Sequence, residues 1–383
     1  MCEKKGGTVD DSASCLSVVM NLSVSQPGPV DLGIIEGYYG RPWSWFERAR
    51  VVSRLAPHGY RFFFYAPKAA VALRKGWRDP MSQLDLDELA GFARHCREHG
   101  MRFGVGLSPH AFDDAPGSPD WGRLQAKLAL LDAMVGVDEL ALLFDDIEGD
   151  DPMLAQRQAR IVDFAAQHTR APQMAVCPSY YSDDPVLDRV FGARPSGYLE
   201  SLGAQLDPAV RIFWTGEEVC SREYSAAHLR DVAQRLGRKP MLWDNYPVND
   251  GQRMSQYLHV RAVTGRPAAL ADLVSGHAVN PSLQPTLACI PAISLAHRYR
   301  VGDDRYAYGA ALMQAAREVL GDALARMVIG DLIPLQDLGL DRLGEQAAVL
   351  RARYAQVDHP GAREIVAWLD GAWRITDEIV RTQ

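Results

Sequence analysis

No apolar stretch among the 383 residues approaches the ~18 that a membrane-spanning helix needs. There is no cationic excess either. Lys and Arg number 41 against 48 Asp and Glu, a formal charge of −7. DNA or RNA would gain little from such a surface, so nucleic-acid binding is disfavoured as the main role. Cysteines are few and scattered (Cys2, Cys15, Cys96, Cys177, Cys220, Cys289), with no CxxC spacing. They read as free thiols of a cytoplasmic protein rather than a disulfide framework. No GxSxG, HExxH, Walker or GxGxxG pattern is usefully placed, so serine triads, zinc proteases and nucleotide folds lose support. What is there is ordinary for a globular chain: 47% hydrophobic and 23% charged residues, which excludes disorder as the main state. The length suits one large domain, or one large and one small.

Residues 1–29 read as an irregular tail. Lys4 and Lys5 are followed at once by Asp10 and Asp11, and the apolar stretch 16–24 is short and broken by serines and Asn21. No small-residue cleavage site follows, so neither a signal peptide nor a lipoprotein at Cys15 is supported. Met20 is an alternative start, and the expected location is cytoplasmic.

Beyond the tail the chain alternates. Short β-rich runs at 32–36, 61–65, 102–107, 139–144, 174–177, 211–214, 241–243 and 273–279 are separated by amphipathic segments such as 45–58, 86–99, 121–135, 153–170 and 226–236. Several runs are apolar almost throughout, notably Phe62-Phe63-Phe64-Tyr65 and Leu140-Ala141-Leu142-Leu143-Phe144. Strands apolar on both faces belong in a parallel sheet covered by helices. Eight βα units predict an α/β fold, a (β/α)8 TIM barrel over residues 30–299. The seventh unit is irregular: 251–271 reads as a long loop. From 300 to 383 the strand runs stop, and segments 307–327, 338–357 and 362–381 suggest a small C-terminal helical region of about three helices. It reads as a brace, or as a surface that could support a homodimer.

In such a barrel the active site forms at the C-terminal strand ends. Those ends carry Glu36-Gly37-Tyr38-Tyr39-Gly40-Arg41-Pro42-Trp43, Tyr65-Ala66-Pro67-Lys68, Ser108-Pro109-His110, Asp145-Asp146-Ile147-Glu148, Pro178-Ser179-Tyr180-Tyr181, Trp214-Thr215-Gly216-Glu217, Trp243-Asp244-Asn245 with Asn249-Asp250, and Asn280-Pro281. Aromatics with carboxylates and amides suit a sugar: ring faces meet C–H surfaces and polar groups take hydroxyls. Neighbouring strand residues face opposite ways, so Asp145 and Asp146 can share one pocket only where the chain leaves the pleat. Two close carboxylates push their pKa values apart, leaving one protonated and one ionised. The bland alternative is an N-cap pair for the next helix. A metal site is a further alternative, since Glu148, Asp150 and Asp151 follow, although the spacing does not fit a calcium loop. Glu36 could be a buried charge paired with Arg41, Trp243 could be core, Lys68 a solvated charge, and His110 a structural hydrogen-bonder.

The run Gly33-Ile34-Ile35-Glu36-Gly37-Tyr38-Tyr39-Gly40-Arg41-Pro42-Trp43 resembles the opening motif of glycoside hydrolase family 84. These are β-N-acetylglucosaminidases, among them protein O-GlcNAcases and bacterial enzymes once called hyaluronidases. Five segments agree in order: Tyr65-Ala66-Pro67-Lys68, Leu142-Leu143-Phe144-Asp145-Asp146, Cys177-Pro178 with Tyr181, Trp243-Asp244-Asn245 with Asn249-Asp250, and Asn280-Pro281. The resemblance implies that Asp145 orients and polarises the 2-acetamido group and that Asp146 is the general acid/base. It implies sugar or acetamido contacts from Gly37, Lys68, Asn245, Asp250 and Asn280, with Tyr181 and Trp243 beside the acetamido pocket. Tyr38, Tyr39 and Thr215 are near-site candidates. Ala69 and Ala70 replace aspartates that often follow the lysine, which bears on the leaving group rather than the reaction.

Adjacent aspartates also fit the chemistry. A retaining glycosidase with an enzyme nucleophile needs two carboxylates about 5–5.5 Å apart across the bond. In the substrate-assisted exception the sugar's own acetamide oxygen attacks the anomeric carbon. The expected activity is therefore a retaining exo-β-N-acetylglucosaminidase, without metal or cofactor, acting on a protein or glycan that bears N-acetylglucosamine. The competing readings are a catalytically silent sugar-binding protein on the same barrel, and a metal-assisted hydrolase using the acidic run 145–151.

Overall fold

The computed structural model describes Met1 and residues 30–145 and 151–383. Eight parallel strands close into a barrel in chain order: β1 (Leu32–Glu36), β2 (Tyr60–Tyr65), β3 (Arg102–Leu107), β4 (Glu139–Leu143), β5 (Gln173–Cys177), β6 (Arg211–Trp214), β7 (Met241–Asp244) and β8 (Gly276–Val279). The seam joins β1 to β8 through Leu32↔His277 and Ile34↔Val279. Around them lie α1 (Trp45–Leu55), α2 (Gln83–Glu98), α3 (Pro119–Met134), α4 (Leu154–His168), α5 (Pro185–Phe191), α6 (Tyr198–Gln205), α7 (Ala226–Leu236) and α8 (Pro285–Val301). The predicted TIM barrel is the observed fold.

Local sequence explains the helix starts. Ser44 and Glu47 form a reciprocal capping box on α1, and Ser82, Ser118 and Ser225 cap α2, α3 and α7, satisfying donors that each first turn would otherwise leave unpaired. Five strand boundaries differ from expectation, three of them by one added residue: β2 begins at Tyr60, β5 begins at Gln173 and β7 ends at Asp244. β4 stops at Leu143, although Phe144 N still donates to Cys177 O at 2.8 Å. β8 begins at Gly276 rather than 273, because a 3-10 turn (Ala268–Asp272) runs into Leu273 and Val274 N donates back to Leu270 O. The irregular seventh unit is observed: two 3-10 turns and no α-helix lie between β7 and β8.

The C-terminal region holds five helices among the described residues rather than about three: α9 (Tyr308–Leu320), α10 (Asp322–Gly330), α11 (Gln346–Tyr354), α12 (Pro360–Leu369) and α13 (Asp377–Thr382). Gly321 divides the first expected segment. The second shortens because 340–342 forms a 3-10 turn, and a turn after Leu369 separates α12 from α13. α8 is buried on every side from Pro285 to Ala296 because it packs against α1, α9 and α12 at once. An all-round apolar helix is the expected result of that position.

The barrel interior is filled from floor to mouth. At the floor Asp31, Arg102, Glu139 and Arg211 form a closed ion-pair ring. Both guanidinium groups stand 5.7 Å from the centroid of the Phe62 ring above. Phe64, Phe213 and Trp243 continue upward, with ring separations of 5.6, 5.8 and 5.3 Å along the column. A packed axis leaves the C-terminal strand ends as the place for a ligand.

Candidate active site

Above Trp243 a cavity of about 290 Å³ opens, lined by Gly37, Tyr39, Lys68, Asp145, Tyr181, Thr215, Trp243, Asn245, Asp250 and Asn280. They come from the ends of seven of the eight strands or from the loops after them, so the fold gathers residues separated by up to 243 positions.

One wall of it is built on two asparagines. Gly37 N donates to Asn280 Oδ1 at 3.2 Å, and Asn280 Nδ2 donates to Asn245 Oδ1 at 2.9 Å. Trp243 Nε1 donates to the same Asn245 oxygen at 3.1 Å, while Asn245 Nδ2 donates to Val219 O at 2.8 Å. The network fixes which atoms of each amide remain for a ligand. Gly37 is required by close approach: a Cβ there would stand 2.2 Å from the Trp243 ring. On the far side Tyr39 N donates to Asp250 Oδ2 at 2.9 Å. The Lys68 ammonium lies 5.6 Å from the Tyr39 ring centroid, a cation–π distance.

The strongest electrostatic feature is at β4. Asp145, two residues past the strand, is 7% exposed, and Lys68 is 4% exposed. Lys68 Nζ bonds Asp145 Oδ2, while Asp145 Oδ1, itself buried, has no hydrogen-bond partner among the described residues. A buried carboxylate oxygen without a donor is costly. Placed on a cavity wall, it defines where a ligand N–H or O–H should sit.

Asp146 lies outside the described residues, as does the stretch 146–150 that carried most of the metal alternative. Tyr38 is a correction. It does not line the cavity: it is fully buried, its hydroxyl donates to Glu36 Oε1 at 2.9 Å, and that hydroxyl accepts from Trp43 N at 3.2 Å. Glu36 is indeed a buried charge, but its partner is Arg48 on α1, at 2.6 and 2.8 Å, and not Arg41. Tyr38 therefore braces the loop that presents Gly37 and Tyr39. His110 is not among the cavity residues; its carbonyl accepts from Trp77 Nε1 and Arg78 Nη1.

Sequence reasoning missed several groups. Asp244, between two cavity residues, is buried and held by Arg266 (2.6 and 2.9 Å) and His277 (3.0 Å). Burial alone would raise its pKa, but Arg266 and His277 hold the carboxyl well below the usual range. Strand alternation was the available signal: Trp243 and Asn245 face the cavity, so Asp244 faces the helices. Cys177 and Cys220 also line the cavity. Although Cys220 reaches solvent, partial loss of solvation at the cavity wall, helped by Asp250 and Asp244, pushes its thiol up to about 11, so it is protonated near neutral pH and unsuited to nucleophilic attack. Val380 contributes from the distant C-terminal region.

The sequence model of a family described as beta-N-acetylglucosaminidase matches residues 32–329. Protein O-GlcNAcase of Mus musculus is 28% identical over 261 residues, covering 66% of this chain and 28% of that protein, and the Rattus norvegicus protein of the same name gives the same figures. The chain thus spans less than a third of the length of these curated relatives. Among solved structures, a mutant of Thermobaculum terrenum O-GlcNAc hydrolase superposes with a TM-score of 0.72 at 26% identity, over 88% of this chain and 80% of that one. CpGH84B reaches the same TM-score at 22% identity, over 89% of this chain and 66% of its own, a likeness of fold.

Proposed function

Since the chain belongs to the beta-N-acetylglucosaminidase family, we propose that it is a retaining exo-β-N-acetylglucosaminidase, removing terminal β-linked N-acetylglucosamine from protein or glycan by substrate assistance. The observation that carries this reading is the split role of Asp145: one oxygen is held by Lys68, and the other is buried at the cavity wall without a donor among the described residues. An ionised carboxylate is an acceptor only, and the substrate's acetamido N–H is the donor it lacks.

Taking that N–H orients the acetamide and raises the electron density on its oxygen. The oxygen attacks the anomeric carbon as Asp146 donates its proton to the departing glycosidic oxygen, so the C–O bond breaks and a protonated oxazoline forms, its N–H and positive charge held by the Asp145 carboxylate. Asp146, now a carboxylate, removes a proton from water, which opens the oxazoline from the same face as the original bond. Two inversions give net retention. Intramolecular attack makes an enzyme nucleophile unnecessary. The Asn245–Asn280 pair and Asp250 take sugar hydroxyls, and Trp243 and Tyr181 confine the acetamide. A cytoplasmic location is part of the same proposal, resting on six cysteines without CxxC spacing. A homodimer through the C-terminal helices is part of the same proposal.

The test is hydrolysis of 4-methylumbelliferyl β-N-acetylglucosaminide by the wild type and Asp146→Asn, with and without a thiazoline mimic of the oxazoline. Turnover that the thiazoline blocks, reduced at least ~100-fold in the variant, is expected. A folded wild type that neither turns over nor binds thiazoline would overturn the reading.

A further inference from the structure

Where the seventh βα unit lacks its helix, the chain between β7 and β8 sends one side chain back against the end of β7. Arg266 is buried there, and all five of its N–H groups are used. Nε and Nη2 hold the two carboxylate oxygens of Asp244 at 2.9 and 2.6 Å. Nη2 also donates to Ser221 O at 2.9 Å, and Nη1 donates to Thr264 O at 3.0 Å and to Arg222 O. One guanidinium thereby joins the loop after β6, the end of β7 and its own segment.

This joint carries the asparagine wall of the cavity. Asp244 stands between Trp243 and Asn245, and its backbone carbonyl accepts from Asn280 N at 2.9 Å. Its carboxylate also accepts from Tyr246 N at 3.1 Å and meets His277 Nε2 of β8 at 3.0 Å. Ser221 and Arg222 follow Val219 and Cys220, and Val219 O takes the Asn245 amide at 2.8 Å. Arg266 thus fixes both the strand end that presents Asn245 and the loop whose carbonyl orients its amide. Packing cannot do this alone. Asn245 also borders a second cavity of about 580 Å³, which Ser221, Tyr246 and Arg266 line with it. A side chain between two cavities has fewer contacts to hold it, so its bonds set its position.

We propose that Arg266 is a positioning residue for sugar binding. Through Asp244 and the Ser221–Arg222 backbone it holds Asn245, Asn280 and Trp243 in the geometry that receives the sugar, and the seventh unit gives up its helix to place it. This rests on the function proposed above. The guanidinium fork is needed for its shape as well as its charge: an ammonium group could balance Asp244, but its three donors cannot make five bonds to four residues.

The experiment measures kcat and KM on the 4-methylumbelliferyl glycoside, thiazoline affinity by calorimetry, and Tm, for the wild type, Arg266→Lys and the floor variant Glu139→Gln, at a temperature where all three are folded. Arg266→Lys should raise KM and weaken thiazoline binding together, by about 10- to 100-fold, as expected when binding groups are misplaced. Its kcat should stay within about threefold, because Asp145 and Asp146 are not part of the joint. Glu139→Gln should move KM and thiazoline affinity by no more than about twofold. Unchanged KM and thiazoline affinity in Arg266→Lys, whatever its Tm, would overturn the inference and leave Arg266 a brace for the fold. So would a loss confined to kcat, or an equal weakening in Glu139→Gln. If Arg266→Lys does not fold, His277→Gln, which loosens Asp244 from the β8 side with Arg266 in place, should weaken thiazoline binding by about 3- to 10-fold, and no change there would overturn the inference. A folded wild type that neither turns over nor binds thiazoline would overturn the underlying function instead.

Discussion

The two poles of the barrel both bury carboxylates against cations, and they treat them in opposite ways. At the floor every carboxylate oxygen is occupied: Arg102 and Arg211 bond both oxygens of Asp31 and both of Glu139 between them. At the mouth Lys68 holds one oxygen of Asp145 and the other has no donor among the described residues. Carboxylates with both oxygens taken serve the fold, even though Arg211 Nε at the floor lacks a partner among the described residues, while a buried carboxylate oxygen on a cavity wall without a described donor is an acceptor open to a ligand. The difference teaches that burial and charge do not identify a site; an unmet bond on a cavity wall does. It also matches the division of labour in barrels, with stability at the N-terminal pole and chemistry at the C-terminal one.

The sharpest way to break this comparison is Asp145→Asn. The amide's oxygen can keep the bond from Lys68, and its NH2 then faces the cavity, so an acceptor becomes a donor opposite the substrate's own N–H. kcat/KM on the 4-methylumbelliferyl glycoside should fall by about 100- to 1,000-fold, the range for losing one pre-oriented electrostatic contact, while Tm falls by a few degrees because the buried Lys68 loses its ionised partner. A variant that melts many degrees earlier but keeps its turnover per folded molecule would show that Asp145 belongs with the floor.

Glu139→Gln is the converse experiment. It leaves Arg102 and Arg211 to share Asp31. Breaking a buried pair costs about 3–5 kcal/mol, and the 31% exposure of the Arg102 side chain argues for the lower end. A fall in Tm of roughly 4 °C is expected, with kcat/KM of the folded protein within twofold of wild type. Thermal melts and assays on the same sample check both halves, and a selective loss of turnover would contradict the separation of the poles.

Much of this was legible in the sequence, for an identifiable reason. Continuous apolar runs mark strands buried on both faces, and polar residues begin where each run ends, so the floor-to-mouth direction can be read from Leu140–Phe144 followed by Asp145. Tyr38 was misassigned because, once the chain leaves the pleat, alternation no longer says which of Gly37, Tyr38 and Tyr39 faces inward; the bond to Glu36 decides it. Asp244 was missed although alternation could have found it. Val380 could not have been found: it meets Asp250 and Gly251 around one cavity from about 130 residues away, and a lone valine in a short polar helix carries no local signal. The five short C-terminal helices read as about three because helix propensity continues across Gly321 and across the turn after Leu369.

Glu364 extends the comparison to a third place, the joint between barrel and helical region. As at the floor, both its oxygens are occupied, by Thr286 N at 2.8 Å and Leu287 N at 3.0 Å. These donors are neutral backbone groups at the start of α8 rather than guanidinium groups. Burial therefore prevails over the hydrogen bonds and pushes the carboxyl up to about 7. The folded state holds this proton more tightly than the unfolded chain does. The resulting stability is fully present below the ordinary glutamate value and is lost as pH rises through about 7. Glu364→Gln carries no titrating group, so between pH 4.5 and 7 the wild type should lose stability relative to the variant, by about 2 kcal/mol or a few degrees of Tm. Above pH 8 the difference between them should stop changing. Parallel melting curves across pH 4.5–8 would show instead that the backbone donors keep Glu364 ionised, and that full occupancy of the oxygens is sufficient without a cation.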